Sequence, residues 1–358
     1  MSRAGSDGLE RPLEPAVATV DARGYGRFVA AVLVAYFTLL AGVFALNVLV
    51  DPFAIAGTGL LPPAVESDRS IKLNLIEKLK RNPEILILGS SRGRQAEPAF
   101  LTKLTHRTGF NAAVTGGTAA DAWVTSRYVA DRFPHKKRGY LWFVDAGIAT
   151  NGINPQLKED PRAKRYLEGK SLHFTLEDVG TYIGSQATRA SVRVIKACVI
   201  GTCEGRIRYL ADGSIATQTL KFLPEHARSL QRSVARIVAG VRSHPVRTSG
   251  PIDPRRVVYF ERVLAFANDH GARPVIVLNP LHPKVLVELE RQGFPARKAS
   301  LEYLRALHKR FDFVVVDCQD IRRWGGSPKD FSNAKHVNRR NMRRMLRYIV
   351  AHSDGALK

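Results

Sequence analysis

Five short apolar runs, separated by amphipathic stretches, dominate the pattern of the chain after residue 84. Most are rich in valine, isoleucine, leucine or phenylalanine, have strand length, and end at turn or charged residues. The runs are 85–88, 111–114, 140–144, 275–278 and 313–316. Buried parallel strands read as continuous apolar runs joined by helices, so the pattern predicts an α/β domain with a parallel sheet of about five strands.

Helical periodicity fills the stretches around these runs and predicts helices at 71–80, 119–133, 254–270 and 297–310. A last helix is predicted near the C-terminus, where apolar residues share one face and arginines lie largely on the opposite face. The apolar face is formed by Met342, Met345, Leu346 and Ile349. We interpret this helix as an outer layer packed on the sheet.

The segment at 150–251 interrupts the alternation of strands and helices. It contains an amphipathic stretch at 176–199, a hairpin that turns at Asp212 and Gly213, and a basic helix at 224–241. An insertion of this size beside the strand ends is compatible with a lid or substrate platform, and equally with a packing subdomain.

Residues 28–50 form one apolar stretch without a charged side chain. As a helix it would span roughly 34 Å, which matches a bilayer core. A cleavable signal peptide, with Val43 and Ala45 near the cleavage site, and a buried core helix are the alternatives. The length of the run and of the segment before it favours an uncleaved anchor. We predict a tail at 1–27, a transmembrane helix at 28–50, a linker and first helix at 51–83, and the α/β domain at 84–352.

Basic residues flank this stretch in nearly equal number on both sides, so their count alone does not orient it. Long domains translocate largely regardless of their charge, and we therefore expect a short cytoplasmic tail with the C-terminal domain outside the cytoplasm. Cys198 and Cys203 flank a short loop and would pair in an oxidising compartment; two unrelated free thiols are the alternative.

The formal net charge of +23 predicts a surface that attracts phosphates, acidic polysaccharides or lipid headgroups. Nucleic acid is not expected, because of the membrane stretch and because no nucleic-acid recognition motif is present. No cysteine and histidine cluster has metal-ligand spacing, and no glycine-rich loop has the form of a phosphate-binding motif. We expect neither a metal nor a cofactor.

The residues directly after the apolar runs carry the candidate chemistry, because functional groups of parallel sheets lie beyond the carboxyl ends of the strands. Ser90 and Ser91 follow the first run, Gly116 follows the second and Asp145 the third. His282 follows the fourth run, and His336 comes after the fifth, just before the last helix. A hydroxyl, glycine amides and a histidine are the groups that acyl transfer requires.

This set resembles the SGNH (GDSL-like) hydrolase superfamily over residues 84–350, with the insertion excluded. "GSS" at Gly89–Ser91 occupies the place of the family's Gly-Asp-Ser block, and "NAAVTGG" looks like its second block. The resemblance implies a three-layer sandwich of the SGNH/flavodoxin-like kind, with Ser91 as nucleophile and His336 as base. It also implies that the N–H groups of Ser91 and Gly116 form the oxyanion hole.

The sequence departs from the family in two of its blocks. The family has an aspartate three residues before the histidine, where this chain has Asn333; Asp330 is the nearest carboxylate. Three readings stay open: Asp330 replaces the missing acid, a Ser-His pair works with Asn333 or a backbone carbonyl, or the site is degenerate. Asp145 lies near the place of the family's oxyanion-hole asparagine, and an ionised carboxylate there cannot donate.

We expect Asp145, Ser90, Arg92 and His282 to contact substrate or orient their neighbours. The start "GSS", the single N-terminal span and the "VDPF" after it look most like the membrane-anchored branch of the superfamily, which includes proteins of teichoic acid D-alanine transfer and alginate O-acetylation. The resemblance implies a serine esterase or O-acyltransferase that acts on an acylated carbohydrate or polymer of the cell envelope. The alternative is a non-catalytic envelope protein that binds glycan or scaffolds a membrane acyltransferase. The expected partners are the membrane and, with it, an anionic polysaccharide or a membrane acyltransferase.

Overall fold

The computed structural model of the chain describes the sheet, the helices around it and parts of the insertion. The described residues are 22–52, 58, 60–61, 68–134, 136–145, 153–154, 157–158, 160–168, 180, 182–201, 209–216, 226–243 and 254–358. The predicted tail, most of the predicted linker and much of the predicted insertion lie outside these ranges.

Five parallel strands form one sheet, which confirms the predicted α/β class. The strands are β1 (Ile85–Gly89), β2 (Gly109–Asn111), β3 (Gly139–Val144), β4 (Val275–Leu278) and β5 (Val314–Asp317). Their order across the sheet is β2-β1-β3-β4-β5, and every pair is parallel. The direction of the chain order reverses between β1 and β3, and such a switch point leaves a crevice at the carboxyl ends of those two strands.

The predicted bounds of β4 are confirmed, and those of the other four strands were wrong. Strand β1 ends one residue later than predicted and β3 begins one residue earlier. The second run was predicted at 111–114, but β2 ends at Asn111, because the Asn111 amide donates to the carbonyls of Gly93, Arg94 and Ala96 and ties the chain to the turn after β1. The residues after Asn111 no longer form a strand, although the N–H groups of Ala112 and Val114 still donate to the carbonyls of Ile87 and Gly89 on β1. The fifth strand starts one residue later than predicted and includes the polar Asp317.

Both faces of the sheet are covered by apolar packing, as the alternation of the strands requires. On one face, Leu86, Trp142 and Ile276 pack with residues of helices and loops; on the other, Ile87, Phe143 and Val277 do so. The helices are α1 (Ala22–Val50), α2 (Asp68–Glu77), α3 (Pro98–Thr105), α4 (Ala119–Arg132), α5 (Pro161–Glu168), α6 (Ser185–Val199), α7 (His226–Ser243), α8 (Pro254–Asp269), α9 (Pro283–Arg291), α10 (Pro295–Leu307) and α11 (Arg339–Ala351).

A small antiparallel hairpin, β6 (Phe331–Asn333) with β7 (His336–Val337), lies just before the last helix, where no strand was predicted from the sequence. The last helix, α11, begins only at Arg339, because the Asn338 side chain accepts the N–H groups of Arg340 and Asn341 and caps it. His336 is therefore a hairpin residue, paired across the turn with Asn333, and not a helix-opening residue.

The predicted hairpin turn at Asp212 and Gly213 is present, and it sits on the edge strand β2. Tyr209 and Ile215 form an antiparallel bridge around it. The Asn111 N–H donates to the Asp212 carbonyl at 2.8 Å. Gly213 has φ +76°, and a Cβ there would lie 2.2 Å from the Asn111 carbonyl oxygen, so only glycine fits. This part of the insertion is packed against the sheet.

Helix α1 is long and apolar enough to cross a membrane. The most apolar 18-residue window of its segment Gly24–Val50 has a mean hydropathy of 2.5 and is not buried against the rest of the protein. By length and composition, such a helix could span a bilayer.

Candidate active site

Ser90 and Ser91 lie at the carboxyl end of β1, at the switch point of the sheet. Two glycines make this turn possible. Gly89 has φ +139°, and a Cβ there would come within 2.5 Å of the Phe143 carbonyl oxygen on β3. Gly117, in the loop after β2, would place a Cβ 2.3 Å from the Gly89 carbonyl oxygen. The two loops therefore pack backbone against backbone, which sets the position of Ser91.

Ser91 and His336 are in hydrogen-bond contact although 245 residues separate them: Ser91 Oγ lies 2.8 Å from His336 Nε2. The hairpin β6–β7 carries the histidine to the end of β1, and Phe331 and Val337 anchor the hairpin in the core. A serine hydroxyl in contact with an imidazole nitrogen is the arrangement of an activated nucleophile and its base.

Asn333 holds the other side of the imidazole ring. Its Oδ1 lies 2.9 Å from His336 Nδ1 and also accepts the backbone N–H groups of Lys335 and His336, at 2.9 and 3.1 Å. Because two backbone donors point at this atom, it is the carbonyl oxygen of the amide and an acceptor only. His336 Nδ1 must then carry the proton. This leaves the lone pair on Nε2, where it accepts the Ser91 hydroxyl.

Asp330 does not serve His336, and the first of the three readings of the missing acid is wrong. Its carboxylate contacts Arg344 Nη1 at 2.6 Å and the Asn338 amide at 3.1 Å. Burial pushes the pKa of Asp330 up, but the hydrogen bonds from Arg344 and Asn338 and the Arg344 charge outweigh it and lower the pKa. The carboxylate fastens the hairpin to α11 and is turned away from the imidazole.

The pKa of His336 is lowered to about 4. Burial of the ring is the largest cause, and the positive charges of Arg92 and Arg94 add to it, while Asp145 opposes them. Asn333 carries no charge and therefore does not raise the pKa of His336. The imidazole is therefore neutral, and able to accept a proton, through the whole physiological range.

Asp145 orients its neighbours. It forms an ion pair with Arg92 Nη1 at 3.0 Å and accepts the Asn279 amide at 2.9 Å. The pair bridges the ends of β1 and β3 across the switch point. Asp145 thus holds the Arg92 guanidinium beside the cavity, and Asn279, at the end of β4, braces it.

The N–H groups of Ser91 and Gly116 are available to a bound oxygen. Within the described ranges, neither donates to a protein acceptor, and both residues line the cavity. Gly116 has φ +59° and lies beside Asn154, whose Nδ2 would be 3.6 Å from a Cβ placed on that glycine. Two backbone donors and a neighbouring side-chain amide next to a serine hydroxyl are the elements of an oxyanion hole.

Charged residues of α2 fix the Gly116 loop from behind. Both carboxylate oxygens of Asp68 accept the Thr115 N–H at 2.9 Å. Arg69 pairs with Asp121 at 2.6 Å and donates to the Gly116 carbonyl at 3.2 Å. Asp121 in turn closes a capping box with Thr118 at the start of α4. Asp68 thus holds the Thr115 N–H, Arg69 the Gly116 carbonyl and Asp121 the Thr118 side chain. The loop is fixed by these bonds without a ligand.

The Ser91 cavity encloses about 430 Å³. It brings together most of the residues that the sequence singled out, and adds Ile153, Asn154 and Lys335, which sequence reasoning missed. Lys335 is adjacent to His336 in the chain. Asn154 lies in "NGINP", nine residues after Asp145. Its amide and its place in the segment after β3 were the only features of the sequence that could have indicated a role in the cavity. The cavity lining comprises Ser90, Ser91, Arg92, Gly116, Gly117, Thr118, Asp145, Ile153, Asn154, Lys335 and His336.

His282 is not part of this cavity. It caps the start of α9, where its Nδ1 accepts the Lys284 N–H at 3.3 Å, and its ring packs edge-on against Phe331. It lines a separate, mainly apolar groove of about 1030 Å³ between α7 and α9. The expectation that His282 contacts the same substrate as Ser91 is not met by its placement.

Among the described residues, no cluster of three or more histidine, cysteine or acidic side chains could hold a metal ion. Cys198 is disulfide-bonded and Cys318 is a buried free thiol. Cys203, with which the sequence allows Cys198 to pair, lies outside the described residues. No protein-family model matches the chain, and no curated protein matches it.

Proposed function

We propose that this chain is a membrane-anchored, extracytoplasmic serine esterase or O-acyltransferase of the SGNH kind, acting on an acylated carbohydrate or polymer of the cell envelope. The observation that carries the proposal is the contact of 2.8 Å between Ser91 Oγ and His336 Nε2, with Asn333 fixing the tautomer that contact needs. The oxyanion donors beside it and the cavity above it supply the other requirements of acyl transfer.

In the first step, the Ser91 oxygen attacks the carbonyl carbon of the acyl ester and its proton moves to His336 Nε2. A C–O bond forms, and the carbonyl π electrons move to the oxygen. The N–H groups of Ser91 and Gly116 and the Asn154 amide stabilise that oxyanion. Asn333 Oδ1 keeps the hydrogen bond from Nδ1–H throughout, so the ring stays in place while it is charged.

In the second step, the tetrahedral intermediate collapses, the bond to the leaving alcohol breaks, and His336 returns its proton to that alcohol. The acyl group is now an ester of Ser91. Water, or a carbohydrate hydroxyl, then gives a proton to Nε2 and attacks this ester by the same route. Water makes the protein an esterase and a sugar hydroxyl makes it an O-acyltransferase.

The fold gives this proposal its second line of support. The strand order places Ser91 at the switch point, where ligands bind in open α/β sheets. We interpret the sheet and the helices packed on both of its faces as the three-layer sandwich of the SGNH superfamily. The disulfide at Cys198 favours an oxidising compartment and so an extracytoplasmic domain with α1 as its anchor.

The charges around the cavity favour an anionic carbohydrate. Arg92 and Lys335 line it, and Asp145 is the acidic residue among the lining residues. Two positive charges against one negative charge leave a positive excess in the lining, and Arg94 behind the loop is balanced by its ion pair with Asp68. A uronate or a phosphate-bearing polymer would be attracted to such a site.

The test is covalent labelling of the full chain, in detergent micelles or lipid nanodiscs, with a fluorophosphonate probe. Labelling is expected for the wild type and abolished in Ser91→Ala, which lacks the nucleophile. His336→Ala should slow labelling by at least about 10²-fold, because the general base is lost. Ser90→Ala is the matched control, since it removes the neighbouring hydroxyl, and it should label like the wild type. Turnover of a small aryl acetate should follow the same order.

Labelling that persists in Ser91→Ala, or a wild type that neither labels nor turns over aryl acetate, would contradict the catalytic proposal. The second outcome would favour a non-catalytic role for the same cavity, in glycan binding or in scaffolding an acyltransferase.

A further inference from the structure

Helix α6 of the insertion rests on the last two turns of the apolar helix α1. Asn47, completely buried, donates to the Tyr182 carbonyl and to Thr188 Oγ1, and accepts the Ser191 hydroxyl at 2.7 Å. The Phe44 and Tyr182 rings pack edge to face. Polar groups in an apolar helix are stable only when they are satisfied, so this network fixes the position of α6 against α1.

The length of α1 places this contact at the edge of a bilayer. On α1 the large exposed apolar side chains lie between Tyr25 and Leu39, with Leu49 exposed in the last turn, and partial burial against the rest of the protein begins around Val43. The charge-free run 28–50 would extend about 34 Å as a helix, slightly more than the roughly 30 Å of the hydrocarbon core. The last turns of α1, which bind α6, therefore lie at the end of the hydrocarbon core, next to the lipid headgroups.

The face of α6 that points away from α1 combines aliphatic and basic side chains. Val192, Val199 and Ile200 are exposed by 54, 80 and 64%. At roughly 100° per residue, they share about a third of the helix circumference with Arg189, Arg193 and Lys196. The helix contains no acidic residue. Aliphatic side chains that are exposed among basic ones are typical of helices that lie in a membrane interface.

We propose that α6 is a second membrane contact, an interfacial helix that lies in the headgroup layer beside α1. Val192, Val199 and Ile200 enter the acyl boundary, and the three basic residues bind anionic headgroups. The proposal rests on the membrane anchor under "Proposed function", but not on the chemistry of Ser91. It gives the domain a fixed orientation on the bilayer, because one helix alone would leave it free to rotate about its anchor.

The test uses tryptophan emission from the full chain in nanodiscs that hold one chain each, made with brominated lipids. Val192→Trp and Val199→Trp place the reporter on the proposed contact. The wild type, with Trp123, Trp142 and Trp324, supplies the background to subtract. An interfacial helix buries its apolar face by about 5–10 Å, so bromines near the headgroup should lower the added emission roughly twofold and bromines at the chain end less.

Two control variants separate this proposal from the anchor itself. Val34→Trp lies in the centre of α1 and should be quenched by bromines at the chain end. Val287→Trp lies on α9 with a similar exposure, 48%, and should not be quenched. Quenching of Val34→Trp without quenching of Val192→Trp and Val199→Trp would overturn the α6 contact and leave the anchor intact. Absence of quenching in Val34→Trp would overturn the anchor, and equal quenching of Val287→Trp would show that the effect is not specific to α6.

A separate experiment tests whether the basic residues of α6 bind anionic lipid. In Val192→Trp, adding anionic lipid should increase quenching, and replacing Arg189, Arg193 and Lys196 by glutamine should remove that increase. A glutamine triple variant that responds to anionic lipid as its parent does would overturn the assignment of these residues. Because each disc holds a single chain, shielding by a second copy cannot produce the quenching.

Discussion

Two polar clusters support the Ser91 cavity, and they differ in the charge of the side chains that form their contacts. The hairpin cluster, Asn333, His336 and the backbone of Lys335, holds the imidazole with an uncharged amide. The α2 cluster holds the Gly116 loop with ionised groups, most of them deeply buried: Asp68, Arg69, Arg94 and Asp121. The ion pairs lie where a backbone loop is held in place, and the neutral contact lies where the proposed mechanism moves a proton.

This division has a physical reason. A buried ion pair is strong as long as both partners stay charged, so it suits a loop whose bonds are the same before and after reaction. A carboxylate beside His336 would raise its pKa and stabilise its charged form. With Asn333 in that place and Arg92 close by, the base is kept neutral, at the expense of electrostatic help to the imidazolium.

Asp68→Asn should have the largest effect on stability. It removes the carboxylate that faces Arg94 and Lys72 and accepts the Thr115 N–H and the Tyr209 hydroxyl. Breaking a buried pair by removing one partner costs about 3–5 kcal/mol, and we expect a loss of that size in the free energy of unfolding of the full chain in detergent. Asp330→Asn is the matched control. Its carboxylate is paired with the partly exposed Arg344, so a cost below about 1 kcal/mol is expected. Equal costs would contradict the contrast between the two clusters.

Changes at Asn333 should act on the rate of fluorophosphonate labelling with little effect on stability. Asn333→Ala removes the acceptor of Nδ1–H and should slow labelling by about 10²-fold. Asn333→Asp keeps the geometry and adds the missing charge. It should speed labelling at neutral pH by at least about tenfold, a small part of the roughly 10⁴-fold that the reverse exchange costs in a serine protease. A slower Asn333→Asp variant with unchanged unfolding would show that the neutral amide is required.

The pH profile of labelling shows in which direction Asn333 changes the pKa of His336. Only neutral His336 can act as base, and with a pKa of about 4 the wild-type rate should be flat at neutral pH and half-lost near pH 4. An unperturbed histidine would lose half its activity near pH 6.5. In Asn333→Asp the carboxylate raises the pKa of His336, so the acid limb must move to higher pH.

Arg92→Gln should have the smallest effect. It removes a positive charge that lowers the pKa of His336 and leaves the opposing charge of Asp145 without its ion pair. Both changes act in the same direction, so the acid limb should move up by roughly one pH unit or less while the rate at neutral pH changes little. Lys335→Gln is the control, since the charge of Lys335 lowers the pKa of His336 less than that of Arg92 does, and it should move the limb less. A downward movement would contradict the assignment.

Much of the sheet could be predicted from the sequence, because buried parallel strands appear in a sequence as continuous apolar runs. The bounds of β2 could not, since Ala112, Ala113 and Val114 are apolar for another reason: they are buried beside the sheet after the chain has left it. The hairpin β6–β7 was also missed. Its strands are of two and three residues, too short to show any alternation.

The candidate site was predictable where its residues closely follow strands, as Ser91 and Asp145 do, and Gly116 was found because the apolar run continues past the end of β2. The choice between Asp330 and Asn333 was not, because it depends on which of them the hairpin turns towards the ring and which Arg344 on α11 attracts. Asn154 and the α2 cluster were missed since they come from loops and from a helix that reach the site only through tertiary packing.

The turn at Asp212 and Gly213 has a consequence for the solubility of the chain. Strand β2 is an edge of the sheet, and an unpaired edge can recruit a strand from another molecule. Here the outward N–H of Asn111 is taken by the Asp212 carbonyl and its outward carbonyl by Lys72 Nζ. The insertion and α2 thus each satisfy one outward backbone group at this edge. Shortening the turn would uncover the Asn111 N–H for pairing with another chain even if every group around Ser91 stayed in place.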